Sequence, residues 1–410
     1  MESRKGGTAF SSAIGCAIVI FLSTGVAGMF SLFIPNYMAE YGYTKMQMSY
    51  VATVATASGF LFSLIGAKLI SAMGPKRALL AGSASSAAFL CLLGSVDNLV
   101  LLGLASLFQG AVLGLGAHAS CAGVISGWYG KRMASVIGLV FGFSSFGATV
   151  MSFLAGQMLK SMDYHAILLI FGVGSAIIGI AANLLLIRTP ATQSTEGQHA
   201  ETAAADGIAF HDAVRSPAFI VFFIAMMGSA TLYAGFMTFA TAFWQSCGLS
   251  AAQSATNISL LSFFGAFVGM GAGAVIEKFG AKILMFLTFG GFILGMVLAC
   301  LFPSNPTPWF AAMGVLFVAF IRPVSSMPSL VLPELFGRRD YNKINSIGMA
   351  GYYLGAACSS VLVAWIAEVS GSYTNSYICL VIIALVSVLL FLAALKLSPY
   401  RKQQPAQKTL

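Results

Sequence analysis

Long stretches of this chain carry no charge, and that feature decides what it can fold into. Twelve apolar runs follow one another, at about 10–37, 46–72, 78–96, 99–126, 134–159, 165–187, 217–246, 251–276, 282–302, 308–333, 342–367 and 375–397. Each is about as long as the ~20 residues a helix needs to cross a bilayer. Charged residues make up 8 % of the 410, against about 25 % in a soluble domain. A soluble fold of this size could not cover its surface with so few. That excludes a soluble enzyme, a nucleic-acid binder and a disordered chain. Transmembrane barrel strands alternate apolar and polar residues. These runs are apolar on every side, so the spans are read as helices.

The remaining charges sit between the runs. The net charge is +9, which in another protein would point to nucleic acid, but here the insertion rule for membrane proteins accounts for it. With a cytoplasmic N-terminus, every basic residue except Lys45, Lys160 and Arg322 lies on the cytoplasmic side, 18 of the 21. Both termini are therefore expected in the cytoplasm. Trp244, Trp309 and Trp365 then fall near the outer interface and Trp128 near the inner one, where indole rings settle. The run after Arg4 and Lys5 is too long for a signal-peptide core and shows no clear cleavage site, so it is kept as the first span. The seven cysteines are scattered singly without CxxC spacing and read as small apolar packing residues. His118, His165, His199 and His211 do not cluster. No nucleophile elbow, zinc motif, P-loop or dinucleotide turn is present, so neither an enzyme nor a cofactor is expected, and a monomer suffices.

The chain also repeats itself. Gly74-Pro75-Lys76 follows the second span and Gly280-Ala281-Lys282 the eighth, an offset of 206 (280 − 74). Tyr129-Gly130-Lys131-Arg132 follows the fourth and Phe336-Gly337-Arg338-Arg339 the tenth, an offset of 207 (336 − 129). The only long polar stretch, 189–212, holds Glu196, Glu201, Asp206 and Asp212. The predicted organisation is an all-α membrane protein of twelve transmembrane helices in two pseudo-symmetric bundles, 1–188 and 216–398. A cytoplasmic linker, 189–215, joins them, and a tail, 399–410, follows. Duplicated six-helix halves that rock about a central site are a transporter signature.

Gly273 to Lys282 has the form G-x-hydrophobic-x-acid-base-x-G-x-base, through Gly273, Val275, Glu277, Lys278, Gly280 and Lys282. Gly273 allows close helix packing, Gly280 a tight turn, and Glu277 can pair with a loop base or face a helix N-terminus. Such a cluster can latch two helix ends in one state and release them in another. It resembles the loop motif of the major facilitator superfamily. The first-half copy keeps Gly74, Lys76 and Arg77 but has Ser71 and Ala72 where the second has Glu277 and Lys278. Trp128 to Arg132 followed by Gly138 and Gly142, and Pro333 to Gly337 followed by Tyr341, resemble the oxalate–formate antiporter and monocarboxylate porter branch. That branch implies transport of small organic anions such as lactate, pyruvate, formate or oxalate. It commonly places a basic residue in span 8 or 11, and neither span has one in its core here.

Arg322 is the one basic residue inside a span, where it costs at least about 2.5–3.5 kcal/mol to insert. No carboxylate lies inside a span to pair with it. Its partners must be backbone carbonyls, water or an anionic ligand, and its planar fork of donors matches a carboxylate. Arg322, Ser325, Ser326 and Ser329 follow the spacing of one α-helical face, and Pro323, Pro328 and Pro333 interrupt the same helix. That combination reads as a kinked, pore-lining gate. His118 corresponds by the offset to Ser325 and can donate to a carboxylate or carry a proton. Gln109, Tyr233, Asn257, Tyr352 and Tyr353 are further polar candidates for the pocket. Gly110, Gly114 and Gly116 with Gly138, Gly142 and Gly147 fit close helix packing.

The expected function is secondary transport of a small organic anion by alternating access in the inner membrane, as antiporter or proton symporter. The rival readings are a porter of neutral or amphipathic solutes with Arg322 structural, and a transporter-like sensor without flux. The orientation has a direct check. A cysteine introduced at Ser194 should resist an impermeant thiol reagent on intact cells and react once the membrane is opened. Efficient labelling from outside would reverse the topology.

Overall fold

The protein's structure, a computed structural model, describes residues 2–43, 45–116, 118–129, 132–159, 161–189, 207–371 and 373–401. Linker residues 190–206, tail residues 402–410, Gly130, Lys131 and Lys160 lie outside the described residues. Among those described, every regular element is helical. Span 1 is Glu2–Tyr41, span 2 Lys45–Met73 and span 3 Pro75–Ser95. Span 4 runs Leu99–Ala111, winds through a π turn at Val112–Gly116, and resumes as His118–Trp128. Span 5 is Met133–Met158 and span 6 Tyr164–Leu185. A short helix, Phe210–Arg215, leads to span 7, Pro217–Ser246. Spans 8 and 9 share Ala251–Leu301, which folds back at Gly280. Span 10 is Pro308–Val318, a 3₁₀ stretch Ala319–Ser326, and Met327–Phe336. Span 11 is Tyr341–Ser370 and span 12 Tyr373–Leu397.

Local chemistry starts these helices where the sequence changes character. Asn98, Asp163, Ser216, Ser250 and Thr307 each accept a backbone N–H in the first turn that follows, satisfying donors a helix N-terminus leaves free. Ser250 and Gln253 form a reciprocal capping box. Ten helices are long and apolar enough to cross a membrane. One of them, Thr256–Ser304, holds both spans 8 and 9. Span 11 is not among these ten, which are counted over the described residues only. The molecule is an integral multi-pass membrane protein. Large apolar side chains such as Phe153, Ile177, Leu185, Val369 and Leu389 stay exposed on its outside, where lipid covers them.

The repeat is written in the backbone as well. Gly74 (φ +82°) and Gly280 (φ +79°) turn the chain the same way 206 residues apart (280 − 74), and so do Gly42 (φ +69°) and Gly248 (φ +98°; 248 − 42). Side chains other than glycine rarely adopt that region. Within the first half, span 1 packs on span 5, span 2 on span 4 and span 3 on span 6. In the second, span 7 packs on spans 11 and 12, and spans 8 and 9 on span 10. Two seams join the halves, span 5 against span 8 and span 2 against span 11.

The linker's ends are tied down. Trp128 Nε1 donates to the Arg188 carbonyl at 2.6 Å. On the other side Ile208 N donates to the Phe336 carbonyl at 2.9 Å, and Phe210 N to Asp340 Oδ2 at 3.0 Å. The bundle end opposite the linker has its own fastening in the first half. Tyr37 donates to the Leu93 carbonyl, Tyr164 to Glu40, and His165 Nδ1 lies 3.1 Å from the Gly94 carbonyl.

The span 5–span 8 seam is closed by backbone contact. A Cβ added to Gly273 would lie 1.9 Å from the Ala134 carbonyl oxygen, and one added to Gly138 would lie 2.6 Å from Gly273 N. Gly271, two residues away, has nothing within 4 Å. Gly273→Ala should therefore destabilise the packed seam by about 1–3 kcal/mol and lower the melting temperature of the purified protein. Gly271→Ala should stay within about 0.5 kcal/mol of wild type. Equal melting of the two variants would show that the seam is not this tight.

Candidate functional site

Spans 4 and 10 hold matching places in the repeat, and each loses α-helical winding at mid-span. In span 4 the π turn redirects backbone carbonyls; the Leu115 carbonyl accepts from Ser120 and the Leu113 carbonyl is free for a partner outside the helix. In span 10 Pro323 sits inside the 3₁₀ stretch and supplies no N–H. These breaks put polar groups at the centre, between the halves.

Arg322 lies in the 3₁₀ stretch. Its stem crosses Gly265 of span 8, where an added Cβ would meet Arg322 Cγ at 2.4 Å. Nη1–H donates to the Tyr233 hydroxyl on span 7, and Nη2–H to the Ser145 hydroxyl on span 5. The guanidinium carbon is 4.9 Å from the Tyr233 ring centroid, within cation–π range. No carboxylate among the described residues pairs with Arg322. The cation is therefore held by a ring face and two neutral hydroxyls.

Tyr352 and His118 lie within electrostatic reach of Arg322. His118 is buried edge-on against Phe141, ring centroids 4.7 Å apart, and its Nδ1 has no partner among the described groups. Tyr352 packs edge-on against Tyr353 at 5.5 Å. Tyr353 turns away from the guanidinium and donates to the Leu113 carbonyl at 2.7 Å, bridging span 11 to span 4. Thus Tyr233 is the predicted candidate in direct contact with Arg322 among the described contacts, while Tyr353 fastens span 11 to span 4. Gln109 and Asn257 make no described bond to this group. Both are buried, Gln109 with neither amide atom partnered and Asn257 with Nδ2 unpartnered. Asn257 precedes Gly265 by eight residues (265 − 257), about 12 Å along a helix.

The polar stripe expected on span 10 does not form. A 3₁₀ helix turns three residues per turn, so Arg322 and Ser325 eclipse while Ser326 and Ser329 rotate away. Ser325 donates to the Arg322 carbonyl and Ser326 to the Pro323 carbonyl, whereas Ser329 reaches Asn345 of span 11 at 3.2 Å. Pro328 takes the first turn of the next helix and packs near Gly348.

At the linker end, Glu277 does face a helix N-terminus. Its Oε1 accepts from Ser135 N at 2.6 Å and its Oε2 from the Ser135 hydroxyl, in the first turn of span 5. Lys278 leans over Phe279, 5.3 Å from the ring centroid, and neither it nor Lys282 pairs with Glu277 among the described ion pairs. The first-half copy makes no such bond. Ser71 donates to the Ala67 and Lys68 carbonyls of its own helix, and Lys76 and Arg77 form none of the described ion pairs. By the offset, Ser135 corresponds to Asn342 (342 − 135 = 207). Asn342 lies beside Gly123 and Pro75, its Oδ1 unpartnered.

Sequence reading missed Ser145, Gly265 and the Leu113 carbonyl. Ser145 is one hydroxyl among many, and a backbone carbonyl has no sequence signature. Gly265 could have been found by asking which helix must make room for a long buried stem.

A model of the Major Facilitator Superfamily matches residues 16–329 and 230–410. No curated protein matches the sequence. Among solved structures, the proton:xylose symporter XylE is similar at TM-score 0.73 and 14 % identity, over 97 % of this chain and 96 % of that one. The E. coli fucose:proton symporter FucP is similar at 0.67 and 12 %, over 93 % and 98 %. The human organic anion transporter MFSD10 is similar at 0.69 and 11 %, over 93 % and 99 %. At these identities the likeness concerns the fold alone.

The Glu277–Ser135 contact can be measured. A carboxylate at a helix N-terminus contributes about 0.3–1 kcal/mol at an exposed site, and Glu277 is exposed. Ser135→Ala keeps the backbone N–H, so a double-mutant cycle with Glu277→Gln isolates the carboxylate–hydroxyl bond. Read by thermal unfolding, the cycle should give a coupling of about 0.2–1 kcal/mol that shrinks in high salt. Additive effects would mean the two residues do not act as one latch.

Proposed function

The chain belongs to the major facilitator superfamily, and on that premise we propose that it transports small organic anions, monocarboxylates foremost, by alternating access. The rocking halves are residues 1–188 and 216–398, with 189–215 as linker. Both termini face the cytoplasm of an inner-membrane protein, and no cofactor takes part. One observation carries the reading. Among the described residues, a guanidinium sits between the halves with no carboxylate partner, its fork held by the Tyr233 and Ser145 hydroxyls. A carboxylate would supply the missing negative charge and match the fork with two parallel hydrogen bonds. The resemblance of the Trp128 and Pro333 loop residues to the oxalate–formate and monocarboxylate branch adds lactate, pyruvate and formate as substrates of fitting size. The name of the human organic anion transporter that shares the fold points the same way. His118 and Tyr352 complete the anion's surroundings. His118 is also the residue able to carry a proton if the coupling is symport, whereas exchange against a second anion needs no such group.

Counterflow in proteoliposomes with labelled pyruvate, formate and oxalate tests the reading. Arg322→Lys keeps the charge and loses the planar fork. It should weaken binding roughly ten- to a hundredfold, the equivalent of about 1.5–3 kcal/mol for one charge-assisted hydrogen bond. Arg322→Gln should be worse, since the attracting field disappears as well. Wild-type affinity in Arg322→Gln would make the arginine structural and turn the search to neutral solutes. Binding without counterflow would favour a sensor.

A further inference from the structure

We propose that the substrate anion and the Ser145 hydroxyl compete for the same Arg322 N–H groups, so that anion binding itself unfastens span 5 from span 10. The proposal rests on the anion-transport reading above. Arg322 and Tyr233 belong to the second half, while Ser145 belongs to the first. Of the two hydroxyls on the fork, only Ser145 ties the halves together. Ser145 is 3 % exposed, so its hydroxyl is a built-in acceptor for the half-buried cation.

The competition has a definite winner. A neutral hydroxyl accepts from Arg322 in the absence of anything better. The Arg322–Ser145 bond is itself charge-assisted on the donor side, and a carboxylate adds to that the attraction of an opposite charge and a second parallel bond. A carboxylate meeting the guanidinium end-on takes one N–H from each of Nη1 and Nη2 at once, and Nη2 is the nitrogen that donates to Ser145. Gly265 keeps the stem in its slot, so the guanidinium cannot retreat from Ser145 by moving toward span 8, and a carboxylate enters by replacing the hydroxyl. Gly265 is thus a positioning residue. The second central bridge, Tyr353 to the Leu113 carbonyl, does not involve Arg322. Anion binding therefore loosens the span 5 side of the interface and leaves the span 4–span 11 bridge in place. Chloride, with no pair of oxygens, fills the fork poorly and releases Ser145 less.

The test uses the purified full chain with sodium pyruvate, formate and oxalate as probes and sodium chloride at matched ionic strength as blank. Affinity is read by thermal-shift titration, and the freedom of span 5 by hydrogen exchange of peptides from 133–158. Ser145→Ala should bind the preferred carboxylate about tenfold more tightly, since one hydrogen bond to the charged guanidinium no longer opposes it. Its span 5 peptides should exchange faster before any anion is added. Wild type should reach that faster exchange only with the carboxylate present. Ser145→Thr, which keeps the hydroxyl, should behave as wild type. Weaker binding by Ser145→Ala would make Ser145 a ligand beside Arg322, and unchanged binding would make it a bystander; either overturns the competition. If Arg322→Gln abolishes binding while Ser145→Ala gains nothing, the competition alone falls. If Arg322→Gln binds like wild type, or no probe binds wild type, the anion reading falls and the competition with it.

Discussion

A half-buried cation with no carboxylate beside it among the described residues governs the centre of this molecule. Removing a charge from water costs several kcal/mol even after relaxation, and a protein ordinarily meets that cost with an opposite charge. Here the substitutes are a ring face, two hydroxyls and a slot over a glycine. Tyr233 on span 7 gives the ring face and one hydroxyl, Ser145 on span 5 the other and Gly265 on span 8 the slot, so spans 5, 7 and 8 must converge on span 10 to keep Arg322 tolerable. The 3₁₀ winding around Pro323 belongs to the same solution, because it sets the direction in which the side chain leaves the backbone. Loosening any of these helices leaves the guanidinium less well solvated, which makes the arrangement sensitive to whatever else can solvate it.

The two seams share a backbone plan and differ in chemistry. By the repeat, Ser145 corresponds to Tyr352 (352 − 145 = 207), and Ser71 to Glu277 (277 − 71 = 206). The central bridges follow that symmetry, span 10 to span 5 through Arg322 and span 11 to span 4 through Tyr353. The groups involved do not. The span 5 side carries a guanidinium at its centre and a carboxylate at the linker end. The span 11 side carries a phenol at its centre, and its linker end has an unpartnered Asn342 oxygen beside Gly123. Only one seam therefore responds strongly to an ion arriving at the centre. A duplicated fold gains direction when charge is placed in one copy.

Much of this was legible in the sequence, for identifiable reasons. Bilayer thickness forces long uncharged runs, so the spans could be read from composition. Turns needing left-handed backbone force glycine, so Gly74 and Gly280 announced the repeat. An arginine inside a span is costly enough to stand out, and Tyr233 was visible as a phenol within a span, though nothing in the sequence placed it beside Arg322. Glu277 was left with two partners, a loop base or a helix N-terminus, and the fold chose the second. The span 10 stripe misled because α-helical spacing was applied to a segment that Pro323 holds in 3₁₀ winding. Ser145 stayed hidden because its importance comes from what faces it across a seam, and local sequence does not record that. Gln109 and Asn257 were picked for polarity alone, and neither bonds to the Arg322 group.

Span 5 is the element on which these contacts act together. Glu277 grips it at Ser135 and Arg322 grips it at Ser145, ten residues apart (145 − 135) and so about 15 Å along one helix. Between the grips Gly138 lies against Gly273, and Gly142 against Met270 and Ala266, with no side chain on span 5 to keep the helices apart. A helix of this length moves nearly as a rigid rod. A rod held at both ends over a smooth glycine crossing pivots only when a grip is released. The grip at Ser135 lies at the exposed linker end, while the grip at Ser145 is buried against Arg322, where the proposed anion would act. Two chemically distinct signals, one from solution and one from the centre of the membrane, thereby act on the same lever.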